Sequence, residues 1–131
     1  MKKYLLIFIF LLTTANAQYI KWYSSYDRGH QVAVKQDKKI MLFLSDKSGE
    51  SKKMFNETFV NSDLINFLNK NYVSIHLPFG EDKFPLELYY TVDSPSLFFA
   101  TKFEILFGEK VSGHKSAKEL LKLLRTYEEN K

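Results

Sequence analysis

The sequence predicts an α/β domain in which a mixed sheet is covered by helices on both faces. Short apolar, β-branched or aromatic runs alternate with amphipathic stretches along most of the chain. Two further runs, close enough for an antiparallel pairing, then precede a strong terminal helix. The segment Ile40-Met41-Leu42-Phe43-Leu44 is apolar at every position. Five apolar residues without alternation fit a strand buried on both faces of a parallel sheet.

Each element follows from local chemistry. Gln18 to Tyr23 is a short aromatic stretch suited to an edge strand. Ser24 or Ser25 caps a helix reaching about Asp37, with Tyr26, His30, Val34 and Ala33 on one face. The run Ile40–Leu44 is followed by the polar turn Ser45 to Ser51 and then by Lys52-Lys53-Met54-Phe55. Asn61-Ser62-Asp63 supplies capping residues for a helix carrying Leu64, Ile65 and Leu68 and ending near Asn71. Tyr72 to Leu77 is the next strand, stopped by Pro78. Phe84 to Tyr90 reads as a short helix opened by Pro85. Ser96–Ala100 and Glu104–Phe107 read as a hairpin, with Gly108 marking a bulge. After Gly113, residues Ala117, Leu120, Leu121, Leu124 and Tyr127 give the amphipathic last helix.

The first residues are expected to lie outside this fold. Met1-Lys2-Lys3 is a basic start, Tyr4 to Leu12 is apolar, and Ala15-Asn16-Ala17 is a small-x-small cleavage site. That is the three-part pattern of a secretory signal peptide over residues 1–17, leaving one domain over residues 18–131. The apolar run is shorter than the roughly 20 residues of a membrane-spanning helix, so no stable anchor is expected after cleavage. The expected location is outside the cytoplasm, periplasmic or secreted, and the Lys-Lys start fits a bacterium.

Cleavage would also weaken the argument from charge. The formal charge of +4 includes Lys2 and Lys3, and the remaining basic residues are dispersed. Nucleic-acid binding needs a clustered basic stripe, so it is not expected. The 131 residues contain no cysteine. Disulfides, thiol nucleophiles and thiolate metal sites are therefore excluded. His30, His76 and His114 are far apart in sequence and lack the close spacing of a metal site, so neither metal nor cofactor is expected.

Several segments resemble the thioredoxin-like proteins that bacteria secrete. Ile40 to Met54, a strand followed by a polar turn and Ser51-Lys52-Lys53-Met54, is similar to the active-site segment of that family, where the strand leads into Cys-x-x-Cys-Lys-Lys-Met. Thr58-Phe59, Asn61-Ser62 and the following helix resemble its next stretch. Val92-Asp93-Ser94-Pro95-Ser96-Leu97-Phe98-Phe99 resembles its Val-x-x-Pro-Thr-Leu strand entry, and Gly113 matches the glycine before its final helix. The likeness runs from about Trp22 to Leu124.

The resemblance implies a thioredoxin-like fold with Ser48 and Ser51 where the family has its two cysteines. It also places Lys47 at a usual tryptophan and Leu42 at the buried acid of thioredoxins proper. A hydroxyl cannot form or exchange a disulfide, so the family's oxidoreductase activity does not carry over. The resemblance further implies a cis proline at Pro95, whose neighbour in the family pairs with an extended polypeptide. That contact is strand addition and needs no sulfur.

The resulting expectation is a non-catalytic polypeptide-binding or assembly module for an envelope or secreted polypeptide. Its candidate binding residues are Ser48, Gly49, Glu50, Ser51, Ser94 and Pro95, with no catalytic residue assigned. Phe79, Phe84, Tyr89 and Tyr90 are candidates for the rim of the peptide groove. Ser48 and Ser51 also have a purely structural use, as helix cap and first-turn residue. Two alternatives remain: a thiol-independent enzyme built on Ser48, Glu50, Ser51 and a histidine within hydrogen-bond reach, or a structural subunit of an envelope assembly.

Overall fold

The computed structural model describes residues 19–80, 84–91 and 93–129. The expected signal peptide, as well as Gln18 and Val92, lies outside the described residues. Five strands form one sheet: β1 (Trp22–Tyr23), β2 (Lys39–Ser45), β3 (Tyr72–Pro78), β4 (Ser96–Ala100) and β5 (Val111–Ser112). Their spatial order is β1-β3-β2-β4-β5. β3 runs parallel to both β1 and β2, whereas β4 is antiparallel to β2 and to β5. The helices are α1 (Tyr26–Gln36), α2 (Gly49–Lys53), α3 (Ser62–Asn71) and α4 (Ala117–Glu129), with a π-helical turn over Met54–Thr58 continuing α2.

The central strand explains its own composition. Met41 and Phe43 point to one face, into a core shared with Leu64, Leu68, Leu120 and Leu124. Ile40, Leu42 and Leu44 point to the other, against Ala33, Ile75, Tyr89 and Phe98. A strand that feeds two cores has no polar side to alternate with. On the second face α1 approaches closely at Gly29, where a Cβ would fall 2.5 Å from the Ile75 side chain.

Capping follows the serine and asparagine positions. Ser25 Oγ accepts from the Arg28 amide at 3.2 Å, and Asn61 Oδ1 accepts from the Leu64 amide at 3.0 Å. Before α4, Ser116 Oγ accepts the Glu119 amide and donates to the Glu119 carboxylate, a reciprocal arrangement at 3.2 and 3.1 Å.

Four local expectations are corrected. Phe84–Tyr90 is a turn, not a helix: the Leu88 and Tyr89 amides both go to the Pro85 carbonyl, and the pattern propagates no further. So short a segment does not hold a helix by itself. Tyr89 instead turns into the core, where its hydroxyl meets that of Tyr26. Glu104–Phe107 is not a strand and contributes one bridge, Ala100 to Leu106; Val111–Ser112 is the true partner of β4. Thr101 Oγ1 gathers the Phe103 and Ile105 amides, and Glu104 sits at φ 64°, which bends the chain away from an extended path. Gly108 is no bulge; at φ 64° it lies beneath Tyr127, whose ring leaves no room for a Cβ. Val34 is exposed, because the buried stripe of α1 is Tyr26, Gly29, Val32 and Ala33.

Candidate functional site

The C-terminal end of β2 places Asp46 at the start of the short turn that leads into α2. Its carboxylate accepts the Ser48 amide at 2.9 Å, closing a side-chain turn two residues on. Ser48 then caps α2: its Oγ accepts the Ser51 amide at 3.2 Å and lies 3.3 Å from Ser51 Oγ. Ser51 Oγ, buried in the first turn, donates to Asp46 Oδ1 at 2.9 Å and accepts the Asp46 amide at 3.1 Å. The two serines therefore belong to one closed set of hydrogen bonds, and the helix start is a capped structural unit. Hydrogen bonds from the Ser48 hydroxyl, then the Ser48 amide, then the Ser51 hydroxyl hold the Asp46 carboxyl down to about 2. Such a group is far too weak a base at neutral pH to draw a proton from Ser51.

Opposite this turn, the Ser94–Pro95 bond is cis. The buried Pro95 gives its carbonyl to the Gly113 amide at 2.9 Å, which ties the loop to the end of β5. The approach to Pro95 is locked by side chains. Ser96 Oγ donates to the Asp93 carbonyl at 2.7 Å, and the Asp93 carboxylate accepts from Lys110 at 2.9 Å and from Ser112 at 3.2 Å. Lys110, followed by Ser112, lowers the Asp93 carboxyl. Ser94 itself is less committed. Among the described residues no hydrogen bond engages its amide or carbonyl, and its buried Oγ has no partner at hydrogen-bond distance, although it faces the Asp46 carboxyl and helps to lower it.

The two segments face one open cleft of about 580 Å³, lined by Asp46, Glu50, Phe79, Ser94 and Gly113 among others. Of the expected site residues, Glu50 and Ser94 thus line the same opening. Ser51 lies buried beneath it, Ser48 caps the helix at its edge, and Gly49 has open space beside its Cα. Phe79, Phe84, Tyr89 and Tyr90 come together in an adjoining apolar pocket of about 230 Å³. Phe79 is the wall common to both.

The histidines are elsewhere engaged. His30 Nε2 is 2.9 Å from the Lys102 carbonyl, and His76 Nε2 is 2.6 Å from Ser45 Oγ. His114 Nε2 is 3.4 Å from Thr58 Oγ1. None of them bonds to Ser48 or Ser51. Among the described residues no group of three or more acidic or imidazole side chains is arranged to hold a metal ion. Nor is any described helix long and apolar enough to cross a membrane.

Sequence reading overlooked Asp46, Asp93 and Ser112. Asp46 was legible, since Asp-x-Ser before a helix is the spacing of a side-chain turn joined to an N-cap. Asp93 and Ser112 meet only because β5 pairs with β4, and no local pattern signals that.

No family model matches the sequence, and no curated protein matches it either. Solved structures do. A thioredoxin from Thermus thermophilus superposes with a TM-score of 0.69 at 16% identity, covering 83% of this chain and 87% of the other. A DsbH oxidoreductase gives 0.62 at 18% identity, with 86% and 85% covered. The C-terminal domain of Neisseria meningitidis DsbD, in its oxidised form, gives 0.60 at 16% identity, with 80% and 91% covered. The chain has a thioredoxin-like fold. It carries no cysteine, so its own residues cannot perform thiol–disulfide exchange.

Proposed function

We propose that this protein is an exported, non-catalytic polypeptide-binding module in which Ser48 and Ser51 stand where related folds carry redox cysteines. It takes an extended segment of an envelope or secreted protein into the cleft and pairs it with the backbone of Ser94. The observation that carries this reading is the Ser94 main chain, unengaged among the described residues at the rim of an open cleft. An extended chain laid there gains main-chain hydrogen bonds, and the flanking cavities supply side-chain choice. Export rests on the basic start, apolar run and small-x-small sequence at residues 1–17.

The test is amide exchange at Ser94, followed by nuclear magnetic resonance, with pooled ten-residue extended peptides added to the protein. Protection of that amide is expected on binding, and Ser112→Trp, which fills the cleft from an exposed edge position, should abolish it. Peptides that bind without touching the Ser94 signal would overturn the reading.

A second reading, a subunit of a larger assembly, is favoured by a different surface. Phe103, Ile105 and Leu106 are all exposed on the loop after β4. Single monomeric domains seldom leave so many large apolar side chains uncovered in one loop. Cross-linking from a photoreactive residue at position 105 in cells that make the protein would capture a fixed neighbour if this reading is right.

A further inference from the structure

The cavity beside the cleft is too small for a typical small-molecule site. Such sites run to about 300–1,000 Å³, whereas this pocket holds about 230 Å³, the scale of one side chain. Its lining is predominantly apolar: Leu44 at the base, Tyr89 in the wall, and Phe79, Leu86 and Tyr90 exposed at the rim. Leaving those three side chains in water is unfavourable unless something covers them.

The neighbouring cleft differs in charge. The Glu50 carboxylate has no hydrogen-bond or ionic partner among the described residues, and it lies over the Gly113 backbone, 3.5 Å from where a Cβ would stand. Asp46 is bound only by hydroxyls and an amide, so its negative charge is not neutralised by a cation. Asp93 differs, because Lys110 compensates it. Lys47, Lys52 and Lys53 flank the turn in sequence, yet none of them lines the cleft. Two uncompensated carboxylates therefore face one opening, and Phe79 is the wall that this opening shares with the apolar pocket.

We infer that the occupant of this groove is an extended polypeptide segment carrying a lysine or arginine close to a bulky apolar residue. The basic side chain enters between Asp46 and Glu50, and the apolar one covers Phe79, Leu86 and Tyr90. The inference deepens the proposed function and rests on it. Since the two wells share a wall, the two side chains lie within a few positions of one another. Successive side chains of an extended chain point to opposite sides at about 3.3 Å per residue, so neighbours on one side are two positions apart.

The experiment titrates the full-length protein with fluorescent ten-residue peptides in four sets, pairing leucine or serine with arginine or glutamate two positions away. Leucine–arginine peptides should bind roughly tenfold or more tightly than leucine–glutamate ones, and added salt should reduce the difference. Glu50→Gln combined with Asp46→Asn should erase most of that preference. Leu86→Glu, at an exposed rim position, should remove the advantage of leucine over serine. Ser94 amide exchange is read in the same samples. Binding that protects Ser94 equally with all four sets leaves the proposed function standing and overturns this inference. Loss of Ser94 protection with every set overturns the proposed function first and this inference with it. Self-association that depends on Leu86, read by sedimentation, would assign the surface to a second copy of the chain and also overturn it.

Discussion

Ser51 donates its hydroxyl to Asp46 at 2.9 Å, and Asp46 returns its amide to the same oxygen at 3.1 Å. This reciprocal pair closes the end of β2 onto the start of α2 and needs no thiol. Ser48 completes it from the cap position. The hydroxyl pair thereby acts as a structural clasp at a place where the fold needs a tight strand-to-helix connection.

The clasp makes a prediction about Asp46. Its carboxyl is lowered from 3.8 to about 2, with the Ser48 hydroxyl the largest cause. A carboxyl depressed in the folded state stabilises the fold above its unfolded value, and that contribution is lost as pH falls from about 4 through about 2. Carboxyl carbon resonances should show Asp46 titrating near the bottom of that window. Ser48→Ala should move the midpoint up towards 3.8, and Ser51→Ala should do so less. A midpoint already at the ordinary value in the unaltered protein would remove the clasp.

A second prediction concerns Gly29. A methyl group there falls 2.5 Å from both Cγ1 and Cδ1 of Ile75, which is fully buried in β3 and has little room to yield. Gly29→Ala should destabilise the protein by about 1–3 kcal/mol, as overpacking of a tight core does. Gly49→Ala is the control, because nothing lies within 4 Å of its Cβ position. Urea denaturation should leave that variant unchanged or slightly more stable.

These two sites show how much was legible in the sequence. The unbroken run Ile40–Leu44 revealed a central strand because burial on both faces leaves a local compositional mark. The caps Ser25, Ser48 and Asn61 were equally visible, since capping is local chemistry. The contact of Gly29 with Ile75 was not, because a glycine chosen for closeness carries no apolar signal, and so the stripe was misplaced onto Val34. The 84–90 segment was misread for the opposite reason. Its apolar spacing imitates a helix, but Tyr89 is held by a partner 63 positions earlier in the chain. The resemblance suggested Glu50 and Ser94 together, and they line one cleft, whereas Asp93 and Ser112 required the sheet itself.

The buried tyrosine pair gives a third prediction. Tyr26 donates to Glu104 at 2.9 Å, which leaves the Tyr89 hydroxyl to donate to Tyr26 at 2.7 Å. Tyr26→Phe removes the middle of this chain and leaves the buried Tyr89 hydroxyl unpaired, at a cost of about 1–3 kcal/mol, whereas Glu104 keeps His30 at 3.6 Å; Tyr89→Phe removes only the end of the chain and should cost less. Burial pushes Tyr89 up from 10.0 to about 12, and raises Tyr26 as well. A phenol whose folded value is raised contributes fully below its unfolded value of 10 and loses that contribution as pH rises towards 12. Ultraviolet titration should therefore find Tyr26 and Tyr89 among the late-ionising tyrosines of the folded protein, together with Tyr72 and Tyr127, which burial also raises. In Tyr26→Phe, alkaline unfolding should be less steep above pH 10.

His76 supplies the last prediction, on the acid side of neutrality. Its ring packs against Phe55 at 4.8 Å, Phe43 at 5.5 Å and Trp22 at 5.9 Å between centroids, and its Nε2 meets Ser45 Oγ at 2.6 Å. Removal from water disfavours the imidazolium and lowers the titration from 6.5. For a base depressed in the folded state, stability is intact above 6.5. It is lost as pH falls, because the unfolded chain takes up the proton first. Imidazole resonances should place the His76 midpoint below 6.5. Denaturation midpoints should decline as the buffer is taken from pH 7 to pH 5, and His76→Gln should flatten that decline even if it lowers stability overall. A His76 midpoint at or above 6.5 would mean that the aromatic cage admits water, and the packing described between β1, β3 and the π-helical turn would then be wrong.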